Sequence, residues 1–367
     1  MTRQRLAGLD GIRGLAALYV VLNHIFERAF PGYPVDRAPF WAGWLIYGRF
    51  AVVVFIVLSG FSLALSPARH GWRLDGVWRF AGRRARRILP AYLGALAFSL
   101  ALAWLVVPQP GQGAPDARSV VVNGLLVQNL VAAPSPNRSF WSMAVEAQLY
   151  VAFPLLLLLV RRAGAVVMVA VVTLAVATVG LAGPHDAWLH TLVVQSPPEL
   201  AALFALGIAA AGLVTAGGAR RTWPWAWLAL AAAAPVLSTI SVRGSRWTLA
   251  PTHLLWVDLA LGPAVACLLA ALAGGRPAVL LRLLDSRPLR TLGLSSYSLY
   301  LLHGPIVVAV YDRIVRARFH HGAVAFLVTV LLVVPVTTAF ARAFAAVLER
   351  PFLRRGGGAG LRRPSFG

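Results

Sequence analysis

Lysine is absent from this sequence, and acidic residues and cysteine are scarce. The 367 residues include 12 acids and one cysteine, and all 34 basic residues are arginine. Only 13% of the chain is charged while 59% is hydrophobic, with a mean hydropathy of +0.73, which is too apolar for a soluble enzyme. The lone Cys267 excludes an internal disulfide. The all-arginine composition indicates a compositional bias, so a single surface arginine carries little weight.

Most of the sequence consists of long apolar runs separated by short links that contain arginine. Only helices and closed barrels satisfy every backbone group in lipid. Runs such as 166–182 do not alternate polar and apolar residues, which excludes a β-barrel. The net charge of +22 would suit a nucleic-acid partner, but the cations lie in the links, where they orient a membrane protein. The sequence therefore predicts an all-α, polytopic transmembrane bundle embedded in a lipid bilayer, with no nucleic-acid partner.

Windows of about twenty apolar residues predict about ten spans. Pro184, Pro197 and Pro198 interrupt the fifth and sixth spans, where a re-entrant segment is an alternative. The predicted spans are 10–30, 44–66, 88–107, 141–160, 165–182, 199–216, 223–241, 252–274, 292–312 and 323–347.

Arginine counts predict the orientation. With the amino terminus inside, 24 arginines fall on inner segments and 10 on outer ones, so both termini are expected to be cytoplasmic. Arg3 and Arg5 precede the first run without a cleavage site, which predicts an uncleaved helix. We expect one membrane domain over 1–352 and a flexible tail over 353–367. The outer link 107–140 is either a lid or acceptor-binding loop, or a plain connector.

The first predicted helix, LDGIRGLAALYVVLNH, carries an arginine and a histidine. Arg13 and His24 are eleven residues apart, about three turns or ~16 Å, so both side chains share one face. An ionisable group inside a membrane indicates a functional site by default, although a lone histidine can simply bond to a neighbouring helix. His24 is expected to lie about 9 Å below the outer surface.

Glu146, in FWSMAVEAQLY, is expected at nearly the same depth as His24. A buried carboxylate is either protonated or paired, and an imidazole at its own level is a natural partner. Two ionisable groups at matching depth favour a catalytic pair over structural bonds, so we predict that His24 and Glu146 are catalytic.

The inner-side sequence GRRARRILPAY contributes Arg83, Arg84, Arg86 and Arg87. Such clusters commonly anchor a protein to anionic lipid headgroups. They also bind phosphates, because a guanidinium makes bidentate contacts. Arg13 is expected on the same membrane face and could complete a phosphate site.

Three further residues are candidates for binding substrate. Ser59 precedes Gly60 in LSGF, a small-residue pair that is typical of close helix packing. Tyr297 and His303 lie in SSYSLYLLHGP, where a packed polar network is an equal alternative to a binding role. No metal site is predicted.

Six motifs in order resemble the acyltransferase-3 family of integral membrane proteins over residues 6–352. The first is the arginine, ten residues, histidine pattern; the others are FIVLSGF, RRARRILPAY, FWSMAVEAQLY, SSYSLYLLHGP and LERPF. The resemblance implies transfer of an acyl group, usually acetyl, from a coenzyme A thioester on the cytoplasmic side to a hydroxyl of a carbohydrate or glycosylated acceptor such as a macrolide, with acyl-CoA as donor substrate and no permanently bound cofactor. It maps the family histidine to His24, the arginine to Arg13 and the glutamate to Glu146, and it implies a multi-pass protein of the cell (inner) membrane.

The sequence departs from the family pattern at two places. Val53 stands where an acid is common, with Ile56 replacing an aromatic residue, and Ala147 stands where the glutamate is commonly doubled. These departures put the usual acceptor in question. Two rivals stay open from the residues alone: a glycan or lipid transporter that uses the same polar residues without thioester chemistry, and a structural or sensor protein.

Overall fold

The computed structural model describes residues 6–35, 38–217 and 223–354, and its regular elements there are helices. The predicted all-α fold is confirmed. In chain order the helices are α1 (Leu9–Ala29), α2 (Arg49–Arg69), α3 (Val77–Leu105), α4 (Ala117–Gly124), α5 (Phe140–Ala163), α6 (Ala165–Ala182), α7 (Ala187–Gln195), α8 (Glu199–Thr215), α9 (Trp225–Thr248), α10 (Pro251–Ala273), α11 (Ala278–Leu284), α12 (Arg287–Leu294), α13 (Ser296–Val310), α14 (Arg316–Phe319), α15 (Ala323–Leu348) and α16 (Arg350–Arg354).

The number of membrane spans agrees with the prediction. Within the described ranges, nine helices are long and apolar enough to cross a bilayer, the span of α13 continuing through a π-helical turn (Tyr311–Val315) to Phe319. The bent pair Leu189–Gln195 and Glu199–Thr215, at 55° to each other, raises the number to ten if it forms one span. The bend falls at Pro197 and Pro198, where the sequence predicted an interruption.

Some predicted boundaries were wrong. Helix α3 begins at Val77 instead of residue 88, because arginine is a good helix former and nothing before Pro90 breaks the helix. The link 107–140 contains α4, which Asp116 caps by accepting the backbone N–H of Ser119 at 2.7 Å. Most of the predicted tail, 355–367, and the arginines at 3, 5, 220 and 221 that were used for orientation lie outside the described residues.

The interior consists of two main apolar clusters. One joins α1 to α3, α13 and α15 through residues such as Val21, Phe26 and Leu301, and the other joins α2, α5, α8 and α10 around Phe153 and Phe204. In α6 and in α9, only 11% of the most apolar 18-residue segment is buried, so most of its apolar surface is available to contact lipid.

Glycines set the closest helix contacts. A Cβ at Gly60 on α2 would lie 2.2 Å from the carbonyl oxygen of Phe204 on α8, which confirms the close packing predicted there. A Cβ at Gly11 on α1 would lie 2.1 Å from the carbonyl oxygen of Leu284, and one at Gly293 would lie 1.9 Å from that of Asp10. The amino-terminal half of α1 is therefore locked against α11 and α12.

Candidate active site

Helix α1 presents polar side chains at both of its ends. Arg13 lies one turn from its start and His24 one and a half turns from its end. The Arg13 guanidinium donates to Ser62 Oγ of α2 at 3.0 Å and pairs with Asp10 at 3.4 Å. Its side chain remains 26% exposed, so it can also contact a ligand.

The arginine cluster lies on helix α3 rather than in a link. Arg87 is close enough to interact electrostatically with Arg13 and with Tyr150 of α5. Arg84 stacks over the Phe80 ring at 5.8 Å, and Arg83 is partly buried on the same helix. Arg86 donates to the Gly82 carbonyl of its own helix. Arg87 is thus the member of the cluster whose charge acts on Arg13.

Glu146 forms a polar cluster with Ser59 of α2 and Tyr150 of its own helix. Ser59 donates to the carboxylate at 3.0 Å, the Tyr150 hydroxyl donates to the same oxygen, and the two hydroxyls are 3.2 Å apart. Tyr297 interacts electrostatically with Glu146 and donates to the Ile88 carbonyl at 3.2 Å. Because Ser62, which binds Arg13, follows Ser59 by three residues on α2, this cluster adjoins the Arg13 end of the site.

The predicted direct pair of His24 and Glu146 is not formed among the described residues. The nearest ring to His24 is His303 of α13, with centroids 5.0 Å apart and planes at 76°. Glu146 lies six residues from the start of α5 and His24 five residues from the end of α1. Depth along the helices does not fix position across the bundle, and α13 rather than α5 places its ionisable side chain against His24.

Hydrogen bonds fix the His303 ring. His303 is fully buried, and its Nδ1 lies 2.7 Å from the Tyr300 carbonyl, which can only accept, so Nδ1 carries the proton. In the neutral ring Nε2 is then an acceptor, and the Ser139 hydroxyl donates to it at 3.3 Å. His303, which is predicted to bind substrate, contacts the predicted catalytic histidine.

Tyr300 lies between the histidines and the Glu146 cluster. Its hydroxyl is 2.6 Å from Ser142 Oγ, one turn before Glu146 on α5, and its ring is 5.6 Å from that of His303. It also interacts electrostatically with Glu146. Polar groups therefore follow one another from Arg13 through Glu146 and Tyr300 to His24.

A cavity of about 100 Å³ opens at the His24 end. Arg28 is paired with Asp312, so its charge is already balanced. Arg138, in contrast, is exposed, and its charge acts on both His24 and Glu27. The cavity is lined by His24, Glu27, Arg28, Gln109, Pro110, Arg138, Ser139, Gly304, Val307 and Val308.

Sequence reasoning did not identify which residues of the link 107–140 reach the site. Gln109, Arg138 and Ser139 reach the cavity, and Asn137 is fully buried beside it. Residues of this link line the cavity, as the predicted lid or acceptor-binding loop would. The signal was the polar sequence SPNRS directly before an apolar helix, which has no single chemical meaning by itself.

A buried charged triad was also missed. Arg49 binds Glu199 at 2.6 Å and Asp258 at 2.7 Å, and its guanidinium carbon lies 5.3 Å from the centre of the Trp141 ring. These acids are 2% and 0% exposed, and the triad ties α2 to α8 and α10. In the described part of the chain no three His, Cys, Asp or Glu side chains are grouped to hold a metal ion.

Curated relatives match parts of the chain. Acyltransferase MdmB of Streptomyces mycarofaciens is 36% identical over 169 residues, which cover 43% of this chain and 41% of the relative. O-acetyltransferase OatA of Staphylococcus aureus is 29% identical over 164 residues, covering 41% of this chain and 24% of that protein. Each alignment thus spans less than half of the relative's own length. No solved structure matches the chain.

A family model extends the match to nearly the whole chain. The model described as "Acyltransferase domain" aligns with residues 6–344, a range that includes Arg13, His24, Glu146 and His303. Relatives named as acyltransferases favour a transferase over the transporter and sensor alternatives. The chain is therefore a multi-pass helical membrane protein that belongs to the acyltransferase domain family.

Proposed function

We propose that this protein transfers an acyl group, in the first place acetyl, from acyl-CoA to a hydroxyl of a carbohydrate or of a glycosylated acceptor such as a macrolide. The observation that carries the proposal is the arrangement on α1, where His24 borders a cavity and Arg13 lies about three turns away, within electrostatic reach of Arg87. The name O-acetyltransferase of one relative supports both the acetyl group and the oxygen acceptor.

The donor binds at the Arg13 end. Arg13 and Arg87, with Arg83 and Arg84 on the same helix, hold the phosphates of coenzyme A through charge-assisted hydrogen bonds. The pantetheine arm then follows the polar side chains of Ser59, Tyr297 and Glu146 towards His24. Eleven residues of α1 set the required reach at about 16 Å.

The acceptor enters the cavity at the other end. His24 removes the proton of the acceptor hydroxyl, and the oxygen attacks the thioester carbonyl. The carbon–sulfur bond breaks as the ester forms, and the imidazolium returns its proton to the departing thiolate of coenzyme A. In a two-step variant His24 attacks the thioester first and the acceptor then attacks the acyl-histidine.

The other polar residues support these two sites. Glu146 balances the charges of Arg13 and Arg87 instead of orienting His24 directly, because its hydrogen bonds go to Ser59 and Tyr150. His303 and the Ser139 hydroxyl hold the far side of the His24 site. Both termini and the donor end face the cytoplasm, where acyl-CoA is made, and the protein lies in the cell (inner) membrane.

A comparison of cells tests the proposal. Cells that express the wild type or His24→Gln at equal membrane levels receive labelled acetate, and their glycans, lipids and secreted metabolites are compared. We expect a labelled ester that the variant lacks. Purified wild type in nanodiscs should then release free coenzyme A from acetyl-CoA when that acceptor is added. Equal labelling in both strains, or transport of the acceptor with an intact thioester, would refute the proposal.

A further inference from the structure

Pro305 leaves one backbone carbonyl of α13 without its helical partner. In an α-helix the carbonyl of residue 301 accepts the N–H of residue 305, and proline has none. Leu301 is fully buried, so water does not replace this donor. Unless another group supplies a hydrogen bond, a carbonyl is left unsatisfied within one turn of His303.

The side chain of Asn137 supplies that hydrogen bond. Its Nδ2 donates to the Leu301 carbonyl at 2.7 Å, and its Oδ1 accepts the backbone N–H of Ser139 at 3.0 Å. Asn137 is fully buried, and the absence of a side chain at Gly304 makes room for it, since a Cβ there would lie 2.7 Å from Oδ1. One amide therefore joins the segment before α5 to the proline turn of α13.

Two of the three hydrogen bonds of this amide bear on His303, and the third runs from Nδ2 to Ser99 Oγ at 3.4 Å. The Leu301 bond holds the turn of α13 from which the ring projects, and the Ser139 bond holds the residue whose hydroxyl lies 3.3 Å from His303 Nε2. His303 in turn lies against His24, 5.0 Å between ring centres. We propose that Asn137 is a positioning residue, which keeps His303 against His24 by giving Leu301 the hydrogen bond that Pro305 cannot make.

This proposal rests on the proposed function, because it requires His24 to be the chemical centre. A misplacement of about 1 Å near reacting groups lowers turnover by up to about 100-fold. The donor site at Arg13 is about three turns away along α1, so KM for acyl-CoA should not change. A residue with only a structural role would instead lower the folded fraction and leave the turnover of each folded molecule intact.

The test uses Asn137→Ala, Pro305→Ala and the double variant, purified in nanodiscs and assayed with acetyl-CoA and the acceptor. For Asn137→Ala we expect kcat about 10- to 100-fold lower with an unchanged KM for acetyl-CoA. Alanine at 305 restores an N–H that can bond to Leu301, so the double variant should recover most of the lost kcat. Asn129→Ala is the matched control, because Asn129 is buried in the same link but binds Gln148 and Ser196.

The outcomes separate this proposal from the proposed function. If wild type transfers no acyl group, both the proposed function and the positioning role of Asn137 are wrong. If wild type is active, an unchanged kcat in Asn137→Ala, or a loss that Pro305→Ala does not reverse, overturns the positioning role alone. Should Asn137→Ala not fold, Gly304→Ala displaces the amide instead, and an unaltered kcat there would overturn the proposal equally.

Discussion

The two ends of α1 differ in how tightly they pack and in which groups surround their polar side chains. At the Arg13 end, glycine contacts press the helix against α11 and α12, and Arg13 has Ser62 and Asp10 as partners. At the His24 end, the neighbours are a cavity, a second histidine and residues from the link before α5. A tightly packed end suits a fixed anchor for phosphates, and an end with a cavity suits the reacting groups.

This contrast predicts that substitutions at the two ends of α1 change different kinetic parameters. Changes near Arg13 should act on the binding of the donor, and changes near His24 should act on turnover. Binding that is equal in the ground and transition states lowers KM without raising kcat, whereas groups that act only in the transition state raise kcat. The following variants test this division, from the largest expected effect on catalysis to the smallest.

His24→Gln should produce the largest loss. Glutamine keeps a hydrogen-bonding group but cannot take up a proton at neutral pH, so we expect kcat to fall by about 10²- to 10⁴-fold. Release of free coenzyme A by protein in nanodiscs measures it. His253→Gln is the control, because His253 lies on α10 against Trp247, away from α1. Equal activity of His24→Gln and wild type would remove His24 from the chemistry.

Arg13→Gln should act on the donor alone. Loss of charge-assisted hydrogen bonds to a phosphate removes about 1.5–3 kcal/mol, which corresponds to a KM for acetyl-CoA about 10- to 100-fold higher. The kcat at saturating donor should stay near that of wild type. Arg69→Gln, at an exposed arginine ending α2, controls for general loss of charge. A fall in kcat with unchanged KM would contradict the division along α1.

Glu146→Gln tests whether this carboxylate acts on Arg13 and Arg87 rather than on His24. Glutamine can still accept from Ser59 and Tyr150, but it no longer balances the charges of Arg13 and Arg87. We expect a loss of about 10-fold in kcat/KM, equivalent to about 1.4 kcal/mol. Since Glu146 does not touch His24, the midpoint of the pH profile should match wild type. A shifted midpoint would restore the direct pairing that the sequence predicted.

The sequence predicts features that lie along a single helix, but it does not predict which side chains meet between helices. The spans and the shared face of Arg13 and His24 follow from hydropathy and the 3.6-residue period alone. The partner of His24 does not, because it depends on which helices are neighbours across the bundle. Equal depth favoured Glu146, yet α13 brings His303 to that position.

The link before α5 shows the same limit more strongly. Nothing in its polar composition indicates that Asn137 completes a hydrogen bond missing from α13, 164 residues later in the chain. A proline at 305 implies only that a carbonyl on the preceding turn loses its helical N–H partner. The donor could be identified only in the folded structure, since any buried amide could have supplied it.

Gly11→Ala should have the smallest effect on catalysis, and it tests whether packing holds the anchor end. The new Cβ would overlap the Leu284 carbonyl, so α1 must shift from α11 at a cost of about 1–3 kcal/mol in the free energy of unfolding. Thermal unfolding in nanodiscs measures this loss against Gly124→Ala, where a Cβ meets nothing within 4 Å. Folded Gly11→Ala should show a modestly higher KM for acetyl-CoA and an unchanged kcat, because the shift displaces Arg13 while His24 lies about three turns beyond it. If kcat fell instead, the two ends of α1 would be mechanically coupled, and the helix could not act as a spacer between independent sites.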